Sequence, residues 1–177
     1  MPSITLIPGD GIGPEIVSSV RAIFSAVNIP LEIDEAIAGG AALAEGLDLI
    51  PQETLAQIER SDATLKGPIT TPIGRGFSSV NVSLRQHFNL FANVRPVLSL
   101  PGTKARFEDI DIIVVRENLE GLYSGIGHSV SEDGETAELK SVITRSGSER
   151  VIRHAFDTAF PQARPMSNGY APLSLPR

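Results

Sequence analysis

Ile4-Thr5-Leu6-Ile7-Pro8-Gly9-Asp10-Gly11-Ile12-Gly13-Pro14 passes from a short apolar run, through a turn, to the start of a helix. Residues 4–7 suit a strand, and Pro8 to Gly11 stop it. Pro14 suits the first turn of a helix, where its missing N–H has no partner to lose. Beyond it Ile16, Val20, Ile23, Phe24 and Val27 recur at helical spacing, which predicts one buried face. A strand that feeds an amphipathic helix through a glycine turn is the opening unit of an α/β protein. The turn tempts a dinucleotide reading, but a Rossmann fingerprint needs its third glycine where Pro14 stands, and Gly13 falls one place early. The free N–H groups at such a helix start can still meet an anion.

The alternation continues. Residues 31–36 read as a second strand, 52–61 as an amphipathic helix with Leu55 and Ile58 inward, and 63–66 as a third strand. Strands are also expected at 94–100 and 110–115, the latter apolar enough for burial on both faces. Extended runs at 126–130 and 139–144 flank a polar Asp133-Gly134 turn, which suggests an antiparallel arm. Ser146 and Glu149 have the spacing of a capping box, and Val151, Ile152, Ala155, Phe156 and Ala159 continue a helix from it. Pro161, Pro165, Pro172 and Pro176 then interrupt any regular element, so 161–177 is expected to be a divergent, loosely packed tail.

Composition narrows the function. The chain has 177 residues, enough for one core or two small lobes. Its net charge of -6 argues against a nucleic-acid groove, which needs a basic surface. No run approaches the roughly 18 apolar residues of a membrane span. The absence of cysteine excludes a disulfide framework and a thiol nucleophile, and with no leader-like start the expectation is a cytoplasmic protein. Anionic small molecules stay open, because a few local arginines hold them whatever the global charge.

Those arginines are present. Lys66-Gly67-Pro68-Ile69-Thr70-Thr71-Pro72 is followed by Ser79-Val80-Asn81-Val82-Ser83-Leu84-Arg85 and by Asn93-Val94-Arg95-Pro96. Hydroxyls, amides and guanidinium groups with few competing acids suit a substrate bearing two or three carboxylates, since guanidinium binds carboxylate through paired, charge-assisted hydrogen bonds. The alternative is that Arg85 and Arg95 are surface charges on a loop. Arg116-Glu117-Asn118-Leu119-Glu120-Gly121-Leu122-Tyr123 comes off the second of the apolar strands, a position that lines clefts in α/β sheets. A tyrosine beside an arginine can deliver a proton, although a loop tyrosine is more often a packing residue.

Taken together, these motifs resemble the β-decarboxylating dehydrogenases, the family of isocitrate and 3-isopropylmalate dehydrogenases, from Ile4 to about Phe156. The Ser-x-Asn-Val-x-Leu-Arg and Arg-Glu-Asn-x-Glu-Gly-x-Tyr patterns are most similar to the NAD-dependent isocitrate branch. The resemblance implies an α/β, isopropylmalate-dehydrogenase-like two-lobed fold with a mixed sheet, incomplete here, and not a Rossmann domain. It places 1–97 in a large domain and 98–160 in a small domain with a dimer-clasp arm. It gives Arg85, Arg95 and Arg116 the substrate carboxylates, Ser79 and Asn81 the carboxylate that marks isocitrate, and Tyr123 the role of acid. Thr71 would meet the nicotinamide, and Gly9, Asp10, Gly11, Ile12 and Gly13 would lie in the cofactor cleft.

The cofactor implied is NAD, with NADP left open, together with Mg or Mn. The family's catalytic lysine and metal-binding aspartates find no counterpart, since Lys140 is the last lysine and Asp157 the last acid. The expectation is therefore a truncated chain, inactive or nearly so alone, that forms a homodimer or pairs with a full-length subunit. Sister activities on 3-isopropylmalate, homoisocitrate or tartrate, and a non-catalytic citrate- or isocitrate-binding partner, remain as alternatives.

Overall fold

β1 (Ser3–Ile7) is the middle strand of a three-stranded parallel sheet, between β2 (Glu32–Glu35) and β3 (Ala63–Lys66). Ile4 stands opposite Ile33 on one side and Ala63 on the other. The computed structural model describes residues 1–70 and 79–159, with Tyr123 described through its backbone only. They belong to two compact units, Met1–Leu84 and the chain from Arg85 onward. The expected tail at 161–177 lies outside the described residues.

In the first unit the parallel strands are joined by α1 (Gly13–Ala26), then by α2 (Gly40–Ala44) and α3 (Gln52–Arg60). Central position explains why Thr5, Leu6 and Ile7 are fully buried. Each large apolar side chain so buried contributes about 1.5–3 kcal/mol. Thr5 keeps its hydroxyl satisfied by donating to Ser61 Oγ at 3.0 Å, and buried Thr54 donates to the Ile37 carbonyl at 2.7 Å.

The inward face of α1 differs from the expected one. Gly13 and Val17 are buried and Val20 and Phe24 partly so, whereas Ile16, Ile23 and Val27 are exposed. The helix carries two apolar stripes, and the sheet takes the one that begins with the small Gly13. A second difference is α4 (Val80–His87), which forms where the sequence reading leaves a loop. Val80 and Leu84, four apart, turn inward, and the Ser79 carbonyl accepts the Ser83 N–H at 2.9 Å.

The second unit is built on an antiparallel ribbon, β4 (Ala92–Leu98) and β5 (Asp111–Glu117), with Ala92 opposite Glu117 and Leu98 opposite Asp111. β4 spans the boundary expected at 97/98. β5 is not buried on both faces. Ile113, Val115 and Glu117 are half-buried on the side where α5 (Arg145–Ala159) packs, while Ile112 and Val114 are 49% and 45% exposed on the other. An antiparallel arm is present about the 133–134 turn, β6 (Ser129–Val130) against β7 (Ala137–Glu138), with Ser129 opposite Glu138; its second strand falls before the run expected at 139–144.

α5 also corrects a capping assignment. It starts at Arg145, before Ser146, and its cap is Thr144, whose Oγ1 accepts the Gly147 N–H at 3.0 Å. Glu120 holds Thr144 there, accepting from its N–H at 2.8 Å and its hydroxyl at 2.6 Å. Thr144→Ala is expected to cost about 1–2 kcal/mol in urea unfolding. Ser146→Ala should cost much less, and equal losses would restore the Ser146 assignment. No helix among the described residues is long and apolar enough to cross a membrane.

Candidate functional site

The loops that leave β1, β2 and β3 emerge at the carboxyl ends of parallel strands, where α/β sheets place their ligand clefts. Asp10 ties these loops together. Its Oδ1 accepts the Thr70 N–H at 2.7 Å and its Oδ2 the Gly40 N–H at 3.1 Å, while its own N–H donates to the Pro68 carbonyl at 3.0 Å. Removal from water opposes the charge on this carboxyl. The Thr70 N–H and hydroxyl, the Gly40 N–H and the neighbouring Lys66 ammonium outweigh that cost and hold the group below its ordinary 3.8.

Glycine is required by the closeness of this packing. Gly9 has φ +80, and a Cβ there would overlap the Pro68 carbonyl oxygen. Cβ atoms on Gly13 and Gly67 would meet the Pro8 carbonyl in the same way. Within the 9–13 turn, then, Gly9, Asp10 and Gly13 are occupied by neighbouring backbone. Gly11 and Ile12 are exposed and open to a ligand. Thr71 lies outside the described residues.

In the second unit the ribbon register decides what meets what. Asn93 stands directly opposite Arg116, and Arg95 follows two residues along β4, so all three share one face. Asn93 Oδ1 accepts the Arg95 Nε–H at 2.9 Å, which fixes that guanidinium along the strand. Arg95 and Arg116 lie on a ribbon diagonal, roughly 7–8 Å apart at the backbone. The same face carries Val97, Ile112 and Val114, so the cations sit at one end of an apolar surface.

The rest of the Arg116–Tyr123 motif has a different task. Both Glu117 oxygens accept backbone N–H groups, from Leu119 at 2.9 Å and Glu120 at 2.7 Å. Buried Asn118 donates its N–H to the Phe91 carbonyl at 3.0 Å and its Nδ2 to the Leu90 carbonyl at 3.1 Å. Glu120 anchors α5. These side chains shape the strand's exit, and of this stretch Arg116 is the one placed on the arginine face. Tyr123 falls in a 3-10 turn, Leu122–Ser124, and its side chain lies outside the described residues. A cavity of about 330 Å³, lined by Glu117, Glu120, Ile143, Val151 and Ile152, opens on the α5 side, away from the arginines. Its apolar lining and committed carboxylates do not suit an anion.

Ser79 and Asn81 lie at the N-terminal end of α4, with Ser79 at the capping position, and Arg85 follows Asn81 by one turn on the same helix face. The sequence reading assigns no role to Asn93. Its signal is the period-2 spacing to Arg95, legible only once 92–98 is known to be a strand.

The family model described as isocitrate/isopropylmalate dehydrogenase matches residues 3–167. The chain belongs to this family. Subunit 2 of the mitochondrial NAD isocitrate dehydrogenase of Saccharomyces cerevisiae is 47% identical over 163 residues, covering 92% of this chain and 43% of that one. The chloroplastic 3-isopropylmalate dehydrogenase of Solanum tuberosum is also 47% identical, over 155 residues, covering 88% of this chain and 43% of that one. The crystal structure of isocitrate dehydrogenase from Methylococcus capsulatus superposes with a TM-score of 0.84 at 48% identity, covering 93% of this chain and 49% of that one. The chain thus spans about two fifths to a half of the length of these isocitrate/isopropylmalate dehydrogenases. Its fold is part of the family's α/β fold. No cluster of three or more His, Asp or Glu side chains suited to a metal ion occurs among the described residues. The described residues do not fit the divalent ion the family implies.

Proposed function

We propose that these residues are the part of an NAD-dependent isocitrate dehydrogenase that grips the acid. The observation that carries the reading is Arg95 and Arg116 on one open ribbon face, with Asn93 between them holding Arg95 in place. Fixed, doubly cationic and polar at one end only, that face suits a compact acid with several carboxylates. Arg85 joins them as a third carboxylate ligand. Ser79 and Asn81 supply the directional polar contacts that favour isocitrate over 3-isopropylmalate, whose isopropyl group needs an apolar pocket. Tyr123 acts as the proton donor, and Thr71 meets both nicotinamide and acid.

NAD meets the chain through the exposed Gly11 and Ile12, and NADP is not distinguished by these contacts. The groups assigned here bind and orient the acid and donate a proton. A base for the 2-hydroxyl and ligands for Mg or Mn are not assigned to them, so the 177 residues alone should bind without appreciable turnover. The wider protein pairs with a second copy or another subunit of its kind. This is supported by the relatives named as subunits of NAD isocitrate dehydrogenase.

Competition between the two acids tests the specificity. Bound isocitrate should be displaced by 3-isopropylmalate only at about tenfold or more excess, the scale of one lost polar contact. If 3-isopropylmalate binds as tightly or more tightly, the sister reading replaces this one. The 47% identity to a 3-isopropylmalate dehydrogenase makes that the outcome to watch.

A further inference from the structure

We infer that Asp10 is a positioning residue, which locks the segment leading into Thr71 against the β1 turn and the start of α2. The inference rests on the reading of Thr71 as the residue that meets nicotinamide and acid. Both Asp10 carboxylate oxygens accept backbone N–H groups from other loops, one from Thr70 at 2.7 Å and the other from Gly40 at 3.1 Å. The turn is held from the other side as well, by the Asp10 N–H on the Pro68 carbonyl at 3.0 Å and by the Gly13 N–H on the Asp10 carbonyl at 2.9 Å. The Gly39 and Gly40 backbone lies so close that a Cβ on either would approach the Asp10 carboxylate. Three loops from three strands converge on one side chain. Moving it would release the loop before Thr71 and the start of α2 together.

Charge is part of the device. Lys66, on β3, is the charged group that acts on this carboxylate. The carboxyl is lowered below its ordinary 3.8, so the tie is at full strength above that value and weakens as pH falls through the lower, folded-state value. An amide at this position would keep one acceptor and turn an N–H donor toward a backbone N–H.

Amide hydrogen exchange on the ligand-free chain at neutral pH, compared with Asp10→Asn, reads the tie directly. We expect exchange at Thr70 and Gly40 to rise about tenfold or more, while Leu6 and Leu65 in the strands stay protected. Unchanged exchange at Thr70 and Gly40 would overturn the inference. If Asp10→Asn fails to fold, the unaltered chain decides. On acid titration the Thr70 and Gly40 amide protons should follow the Asp10 side-chain carbon with one midpoint below 3.8. Protons that do not follow it would overturn the inference equally.

A positioning role further requires that Asp10→Asn weaken NAD binding, with isocitrate present, by about tenfold. Lost protection with unchanged NAD affinity would make the tie merely structural. The amide readouts need no ligand, so a chain that binds no isocitrate sinks the reading of the site without altering them.

Discussion

Arg116→Ala is expected to weaken isocitrate binding by about 10- to 100-fold, the loss of one charge-assisted carboxylate contact. Arg116 stands opposite Asn93 and diagonal to Arg95 on the ribbon, so its removal leaves the remaining guanidinium in place and halves the charge of that face. Arg95→Ala should act similarly. Arg106→Ala is the control, since Arg106 lies over Phe107 in the loop between β4 and β5, outside the proposed grip. A fall of similar size for Arg106→Ala would mean the response is to net charge, and the site would lose its claim to geometry. Lysine at position 116 should restore only part of the affinity, because a point charge does not reproduce the guanidinium fork.

Gly9→Ala should destabilise the chain by about 2–5 kcal/mol, measured by chemical unfolding. The substitution combines a left-handed backbone, φ +80, with overlap between the new methyl and the Pro68 carbonyl. Gly11→Ala separates the two effects. Gly11 also has positive φ, +57, but its Cβ would meet nothing within 4 Å. Its cost should stay near 1–2 kcal/mol. If both substitutions cost the same, the three loops are not packed as closely as described.

What was legible in the sequence follows physical lines. β1, α1, β2, α3 and β3 could be read because each has its own period and a turn signal between. The stripe that α1 buries could not, because Val17, Val20 and Phe24 compete with Ile16, Ile23 and Val27 on one helix. Period alone does not say which stripe meets the sheet. A continuous apolar strand such as β5 reads the same whether one or both faces are covered, and only the alternating exposure of Ile112 and Ile113 decides it. α4 was hidden by hydroxyls and an amide that read as loop.

The candidate site divides similarly. Residue types pointed to the arginines, Ser79 and Asn81, and to the 9–13 turn. They could not show that Asp10 and Glu117 spend their carboxylates on backbone N–H groups, because each partner comes from chain geometry. Thr144 shows the limit most plainly. Ser146 and Glu149 have the spacing of a capping box, yet Glu120, from another segment, settles the cap two residues earlier. Asn93 earns its place only through the ribbon register.

The central claim is that these residues by themselves hold a small acid with several carboxylates. Calorimetric titration of isocitrate into the unaltered 177-residue chain tests it most directly. The account predicts saturable binding at one site per chain, lost or much weakened in Arg116→Ala. No saturable heat up to millimolar isocitrate in a folded chain, or the same affinity with and without Arg116, would contradict it.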